Sequence, residues 1–183
     1  MKLAFLYAGQ GSQHPGMGAD LYEVYPAFRR VLDQVELGFD VKIICFTDPD
    51  NQIDQTRYTQ PCMVAFAAGL TAVLKNRGIV PDVAAGLSLG EYSALHAAGA
   101  FDAETAIGLV AYRGKAMTEA AEGLSCGMQA VLGLDREPLQ AACGAASGLG
   151  VCQIANYNCP GQLVIAGEAA AVEKAAALAR EAG

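Results

Sequence analysis

The chain has no tryptophan, only two histidines, and charged residues at just 17% of its 183 positions. Its six cysteines never form a Cys-x-x-Cys pair. Zinc sites and disulfide frameworks usually need such pairs or several histidines, so we expect neither of them here. Each cysteine is most simply a small core residue, and no metal site is predicted.

Long apolar runs and a signal-peptide cleavage pattern are also missing. The apolar stretches are interrupted by Gly, Lys or Asp well short of a membrane span. The formal net charge of −7 disfavours nucleic acid and anionic membrane surfaces as partners. Because 53% of the residues are hydrophobic, the chain can bury a large core. The composition therefore predicts a soluble, globular, cytoplasmic protein.

The most informative pattern is Gly86-Leu87-Ser88-Leu89-Gly90, which follows a short apolar strand and precedes a run of good helix formers. A strand, a sharp Gly-x-Ser-x-Gly turn and a helix together form the nucleophile elbow of many serine enzymes. The glycines let strand and helix cross closely, and the N–H of Leu89 can stabilise an oxyanion at the helix start. We predict that Ser88 is the nucleophile, although an incidental serine in a βα turn has the same local pattern.

Residues 1–124 are predicted to form an α/β core. Residues 40–56 have no clear pattern apart from a turn. The other elements predicted here, besides the elbow, are a strand over 2–8, a glycine-rich loop over 9–18, a helix from Ala19 to about Leu32, a helix that Pro61 begins and that runs past Leu74, and a helix over 102–122.

Residues 125–183 change to the order β-α-β-β-α, one strand short of a ferredoxin-like unit. The elements predicted here are strands over 128–134, 151–157 and 162–166, helices over 137–146 and 168–182, and a turn at Pro160-Gly161. Because this order leaves the sheet incomplete, we expect the chain to be part of a longer protein.

One arginine is placed unusually in the helix predicted over 102–122. At ~100° per residue, Arg113 falls in the middle of an apolar stripe, where an unpaired guanidinium is costly. Its planar fork suits a carboxylate bound at two points, and we favour a substrate carboxylate. An internal ion pair or a snorkelling side chain stays open. The predicted stripe consists of Ala106, Leu109, Val110, Ala116, Met117, Ala120 and Ala121.

The glycine-rich loop that starts Gly9-Gln10-Gly11 ends the first strand, as the serine turn ends the second. In a parallel sheet both would open on one edge, so a loop N–H can be a second oxyanion donor. A serine nucleophile also needs a base, usually histidine. His96 lies about 12 Å along the helix from Ser88, and nothing orients His14. The base is therefore predicted to lie outside this chain.

Five stretches resemble the N-terminal part of the malonyl-CoA:acyl-carrier-protein transacylase family, in the family's order and over nearly the whole chain. They are Gly9–Gln13, Thr59–Pro61, Gly86–Leu95, Arg113–Lys115 with Met117, and Asn156–Gly167. The resemblance implies an α/β-hydrolase-like parallel-sheet core with an inserted ferredoxin-like subdomain, both incomplete in this chain.

The resemblance also assigns roles to individual residues. It implies that Ser88 becomes malonylated, that the N–H groups of Leu89 and Gln10 form the oxyanion hole, and that Arg113 holds the malonyl carboxylate. Met117 matches a position that lines the pocket. The implied reaction moves a malonyl group from coenzyme A to the phosphopantetheine thiol of acyl carrier protein in fatty-acid synthesis, without a metal or redox cofactor.

Two departures from the family pattern affect these expectations. Leu87 stands where many members carry histidine, and neither His14 nor His96 matches the family's general base. We therefore expect a poor catalyst unless the remainder of the polypeptide or a complementary fragment supplies the base. A serine thioesterase or hydrolase, and a non-catalytic acyl-binding fragment, are the alternatives.

Overall fold

A computed structural model describes residues 2–183, which divide into two compact units with the boundary between Ala120 and Ala121. The sequence-based boundary lay after residue 124. Each unit has its own sheet and its own hydrophobic core.

The first unit combines a two-stranded sheet with helices. Strands β1 and β2 are parallel, with Ala4 opposite Val83 and Tyr7 opposite Gly86. The glycine-rich loop and the serine turn therefore leave from the same edge of the sheet, as predicted. The elements of this unit are β1 (Ala4–Tyr7), α1 (Ala19–Val24), α2 (Pro26–Asp33), α3 (Val41–Phe46), α4 (Thr56–Asn76), β2 (Val83–Gly86), α5 (Gly90–Ala97) and α6 (Ala103–Ala120).

Prolines explain two differences from the predicted helices. The helix expected from Ala19 is divided, because Tyr25 is extended before Pro26, which starts α2. The prediction that Pro61 begins a helix is wrong, since α4 begins at Thr56 and Pro61 lies inside it. An internal proline costs a helix ~3 kcal/mol. Here the ring is fully buried, and its burial offsets part of that cost.

The buried face of helix α6 overlaps the predicted stripe only in part, since Ala106 and Val110 are buried as predicted. Its buried residues are Ala106, Ile107, Val110 and Gly114. Leu109 and Met117, two members of the predicted stripe, are 40% and 44% exposed. The prediction chose the face with the most apolar residues, whereas packing against α4 selects the face that carries the small Gly114. Arg113 therefore lies beside the buried face and is only partly buried, instead of lying in its middle.

The second unit has the predicted order β-α-β-β-α. Its three strands lie in the order β3-β5-β4, and both outer strands are antiparallel to β5. Its helices share a core with the sheet, while Met128 and Leu132 of β3 are exposed. The elements are β3 (Cys126–Leu132), α7 (Arg136–Ala146), a 3-10 turn (Ser147–Leu149), β4 (Cys152–Cys159), β5 (Gln162–Glu168) and α8 (Ala169–Ala182).

Candidate active site

Ser88 lies in the sharp turn between β2 and α5. Its φ of 54° is in the left-handed region, which residues with a side chain seldom adopt. A Cβ atom on Gly86 would lie 2.0 Å from the carbonyl carbon and oxygen of Gly90, and one on Gly90 would lie 2.5 Å from the carbonyl oxygen of Tyr7. Only glycine allows the chain to cross itself so closely at these two positions. The predicted strand–turn–helix geometry around Ser88 is confirmed, and the role of Ser88 as the nucleophile stays a prediction.

The two predicted oxyanion donors belong to adjacent segments. Leu89 precedes α5, and its side chain is 1% exposed in the core of the first unit. A Cβ atom on Gly9 would lie 3.0 Å from the carbonyl oxygen of Leu87, so the glycine-rich loop runs directly past the serine turn. Within residues 2–183, the N–H groups of Gln10 and Leu89 donate to no backbone carbonyl. Their role as oxyanion donors stays a prediction.

Two glutamine side chains fasten the glycine-rich loop to the start of α4. Gln10 Nε2 donates to Thr56 Oγ1 at 3.3 Å. Gln13 Oε1 accepts from the N–H of Gly11 at 2.7 Å, and its Nε2 donates to Asp54 Oδ1, also at 2.7 Å. These bonds restrict a segment that has no regular secondary structure of its own.

Arg113 connects the serine turn to a buried amide. Its Nη2 donates to Ser88 Oγ at 3.2 Å, and its Nη1 donates to Gln60 Oε1 at 2.7 Å. Gln60 Nε2 in turn donates weakly to Met117 Sδ at 3.4 Å. The structure thus brings together Ser88, Arg113 and Met117, which the family resemblance had placed in one pocket.

The positive charge of Arg113 has no acidic partner among the residues that the structure describes, whose two side-chain ion pairs are Lys42–Asp33 and Lys115–Glu119. This finding goes against the internal ion pair that the sequence left open. Because Gln60 is neutral, it orients the guanidinium without cancelling its charge. The arrangement can therefore receive an anion next to a serine hydroxyl.

Gln60 is the site residue to which the sequence assigned no role. It is 1% exposed, and the residues that follow it in α4 are apolar and buried. A buried side-chain amide needs a hydrogen-bond partner. In the sequence, the isolated amide within this apolar run could have indicated a buried polar contact. Its partner could not be identified, because Arg113 is 53 residues away in sequence.

Gly114 sets how closely α6 approaches α4. A Cβ atom at this position would lie 2.8 Å from the carbonyl oxygen of Thr56 and 3.1 Å from Cα of Arg57. The backbones of the two helices therefore touch one residue away from Arg113. This approach brings the guanidinium within reach of Gln60.

The two histidines make contacts elsewhere. His14 Nδ1 is paired with the carbonyl oxygen of Pro15 at 3.0 Å, and His96 Nδ1 with that of Phe101 at 3.1 Å. Between residues 2 and 183, neither is hydrogen-bonded to Ser88.

Residues 2–183 contain no group of three or more His, Cys, Asp or Glu side chains placed to hold a metal ion. They also contain no helix with both the length and the apolar character needed to cross a membrane.

The acyl transferase domain family matches residues 4–183. The chain belongs to this family. This acyl transferase domain is 42% identical over 185 residues to the malonyl CoA-acyl carrier protein transacylase of Bacillus subtilis, a match that covers all of this chain and 58% of that protein. It is also similar to the crystal structure of MCAT from Streptococcus pneumoniae, with a TM-score of 0.88 and 49% identity over the whole chain and 60% of that structure.

A third relative is a solved complex, PlMCAT:AntF, described as a type II PKS acyl-carrier protein bound to its malonyl-transacylase. The similarity has a TM-score of 0.89 and 38% identity, and it covers the whole chain and 60% of the relative. The chain thus spans about three fifths of the length of the relatives that it matches.

Proposed function

We propose that the chain is the serine-bearing part of a malonyl-CoA:acyl-carrier-protein S-malonyltransferase, acting in fatty-acid or polyketide synthesis. The observation that carries the proposal is the unneutralised guanidinium of Arg113 at 3.2 Å from Ser88 Oγ. A cation beside a nucleophile suits an acyl group that carries a free carboxylate. The malonyl group of malonyl-CoA is such a group, and the matched relatives are malonyl transacylases by name.

In the proposed first step, Ser88 Oγ attacks the thioester carbonyl of malonyl-CoA. The N–H groups of Leu89 and Gln10 stabilise the oxyanion that forms, and Arg113 holds the malonyl carboxylate beside Met117. The tetrahedral intermediate collapses, the carbon–sulfur bond breaks, and coenzyme A leaves as its thiol. A malonyl ester on Ser88 remains.

In the second step, the phosphopantetheine thiol of an acyl carrier protein attacks that ester and takes the malonyl group. Both steps need a base to accept and return a proton. We propose that this base comes from outside residues 2–183, either from a further part of the polypeptide or from a complementary fragment. In the proposed enzyme, the first unit belongs to an α/β-hydrolase-like core and the second to a ferredoxin-like subdomain.

The selectivity for malonyl groups can be tested by changing Arg113 to alanine. Charge-assisted hydrogen bonds between Arg113 and the malonyl carboxylate contribute substantially to the binding free energy. We therefore expect the rate of malonyl transfer to Ser88 to fall by about 10- to 100-fold. Transfer from acetyl-CoA should change little, because acetyl has no carboxylate. Mass spectrometry of the acylated chain measures both rates, with imidazole added as an external base.

Lys115→Ala is the matched control, because it removes a positive charge from the same helix at an exposed ion pair with Glu119. It should leave both rates unchanged. Equal losses of malonyl and acetyl transfer in Arg113→Ala would remove the basis for carboxylate recognition. Rapid release of free malonate, with no transfer to a carrier-protein thiol, would instead support a hydrolase or thioesterase.

A further inference from the structure

The six cysteines occupy three kinds of environment. Cys126 and Cys159 are exposed at the two ends of the second unit's sheet. Cys45 and Cys62 are buried in the core of the first unit, where they are 2% and 0% exposed. The remaining two, Cys143 and Cys152, are buried in the second unit and lie next to each other.

The sulfur atoms of Cys143 and Cys152 are in van der Waals contact. Cys152, the first residue of β4, donates its S–H to Cys143 Sγ in α7 at 3.7 Å. Both residues line a surface cavity of about 380 Å³, together with Gln140 and Tyr157. A small reagent can therefore reach the pair, although the two residues are only 5% and 8% exposed.

We propose that Cys143 and Cys152 are a redox modification site, at which a small two-electron oxidant closes a disulfide between α7 and β4. With a diazene oxidant such as diamide, two S–H bonds break and one S–S bond forms. The two protons and two electrons pass to the N=N bond, which becomes a hydrazine. With hydrogen peroxide, the O–O bond breaks and the same two protons and electrons yield two molecules of water.

Closing the bond requires a movement of the backbone or of the side chains around the pair. The sulfur atoms must approach by roughly 1.7 Å to reach disulfide length. The start of β4 is held firmly, because Val151 O accepts from the N–H of Glu168 at 2.8 Å, and Val151 N–H donates to Glu168 Oε1 at 3.1 Å. The connection between α7 and β4 contains Gly148 and Gly150, so we expect the end of α7 to move when the bond closes.

The thiol of Cys143 is protonated at neutral pH. Burial and the contact with Cys152 raise the pKa of Cys143 to about 11, so its thiolate is scarce. Reagents that need a thiolate should therefore modify this pair more slowly than the exposed Cys126 and Cys159. The Cys45–Cys62 pair is an internal control, because mutual contact and burial raise the pKa of Cys62 as well, but both side chains are sealed in the core.

The test uses the whole chain with both exposed cysteines changed to serine (Cys126→Ser, Cys159→Ser), which prevents links between molecules. The folded protein is treated with diamide and its thiols are counted after denaturation. We expect two thiols to disappear, with a mass loss of two hydrogen atoms. Cleavage after Leu149 should leave the Cys143 and Cys152 peptides joined until dithiothreitol is added.

Single variants identify the partners. Cys143→Ser and Cys152→Ser should each abolish the link, whereas Cys62→Ser should leave it intact. Peptide mapping of the parent protein locates the bond even where a variant fails to fold. The proposal is overturned if the folded protein keeps all its thiols after prolonged treatment with excess diamide, long after Cys126 and Cys159 have been oxidised in the unmodified chain. A link between Cys45 and Cys62 in place of the Cys143 link would overturn it equally. Neither result bears on the proposed malonyl transfer.

Discussion

The two units of this chain differ in how far they depart from ordinary local structure. Among the described residues, every buried polar or charged side chain lies in the first unit, as does every residue with a side chain and a positive φ. The buried polar residues are Asp48, Thr59, Gln60, Thr71 and Ser93. The second unit buries only apolar or small side chains between its sheet and its helices.

This difference coincides with the position of the candidate site. A strained backbone and a buried amide are both costly, and they persist only where the surrounding structure holds them in place. At the candidate site of the first unit, the residue with a positive φ is Ser88 and the buried amide is Gln60, and Arg113 joins the two. Regular packing is sufficient for the second unit, whereas the first unit gives up some local stability to assemble a site.

Gly86→Ala should have the largest effect of the changes that test this comparison. The new Cβ would lie 2.0 Å from backbone atoms of Gly90, so the serine turn cannot form without moving the strand or helix. We expect the first unit to be destabilised by about 3 kcal/mol or more. Urea unfolding monitored by circular dichroism measures the loss, and an unchanged midpoint would contradict the close crossing.

Gln60→Glu should have an intermediate effect, on chemistry more than on stability. A carboxylate at 2.7 Å from Arg113 Nη1 would pair with the guanidinium and compete with the malonyl carboxylate. We expect acylation by malonyl-CoA to fall about tenfold or more, and the preference over acetyl-CoA to disappear. Relative acylation rates measured by mass spectrometry test this expectation.

The matched control for Gln60→Glu is Gln55→Glu, which adds the same charge at an exposed position just before α4. It should leave the preference for malonyl-CoA intact. If both variants lose the preference equally, the cause is the general charge of the helix and not the contact with Arg113.

Gly144→Ala in the second unit should have the smallest effect, and in the opposite direction. Gly144 lies in α7, and a Cβ atom there would meet nothing within 4 Å. Because alanine favours the helix, we expect a gain of about 0.5–1 kcal/mol in the free energy of unfolding. Urea unfolding of this variant beside Gly86→Ala makes the contrast direct. A loss of stability would show that α7 is more tightly constrained than its open surroundings suggest.

The second unit could be predicted well from the sequence because its signals are local. Its helices and strands have the predicted order, and helix α7 begins at Arg136, next to the predicted start. The turn at Pro160-Gly161 joins β4 and β5 as expected. Alternating exposure along a strand and capping of a helix depend on near neighbours, so a single sequence is sufficient to find them.

The first unit could be predicted only in part because its exceptions depend on distant contacts. The serine turn followed from a local motif, and the association of Ser88 with Arg113 followed from the family resemblance. Pro61 was misassigned because its burial, and not its local preference, decides its place inside α4. The role of Gln60 could not be derived, because its partner Arg113 is distant in sequence and becomes a neighbour only when α4 packs against α6.

The most direct test of a shared site for Ser88 and Arg113 is to locate the acyl group after incubation with malonyl-CoA. Imidazole is added to act as the base, and the chain is digested and mapped by mass spectrometry. We predict malonylation of Ser88 and its absence in Ser88→Ala. Malonyl groups found only on other nucleophiles, such as the exposed thiols of Cys126 and Cys159, or an unmodified Ser88 in the presence of imidazole, would contradict the proposed site.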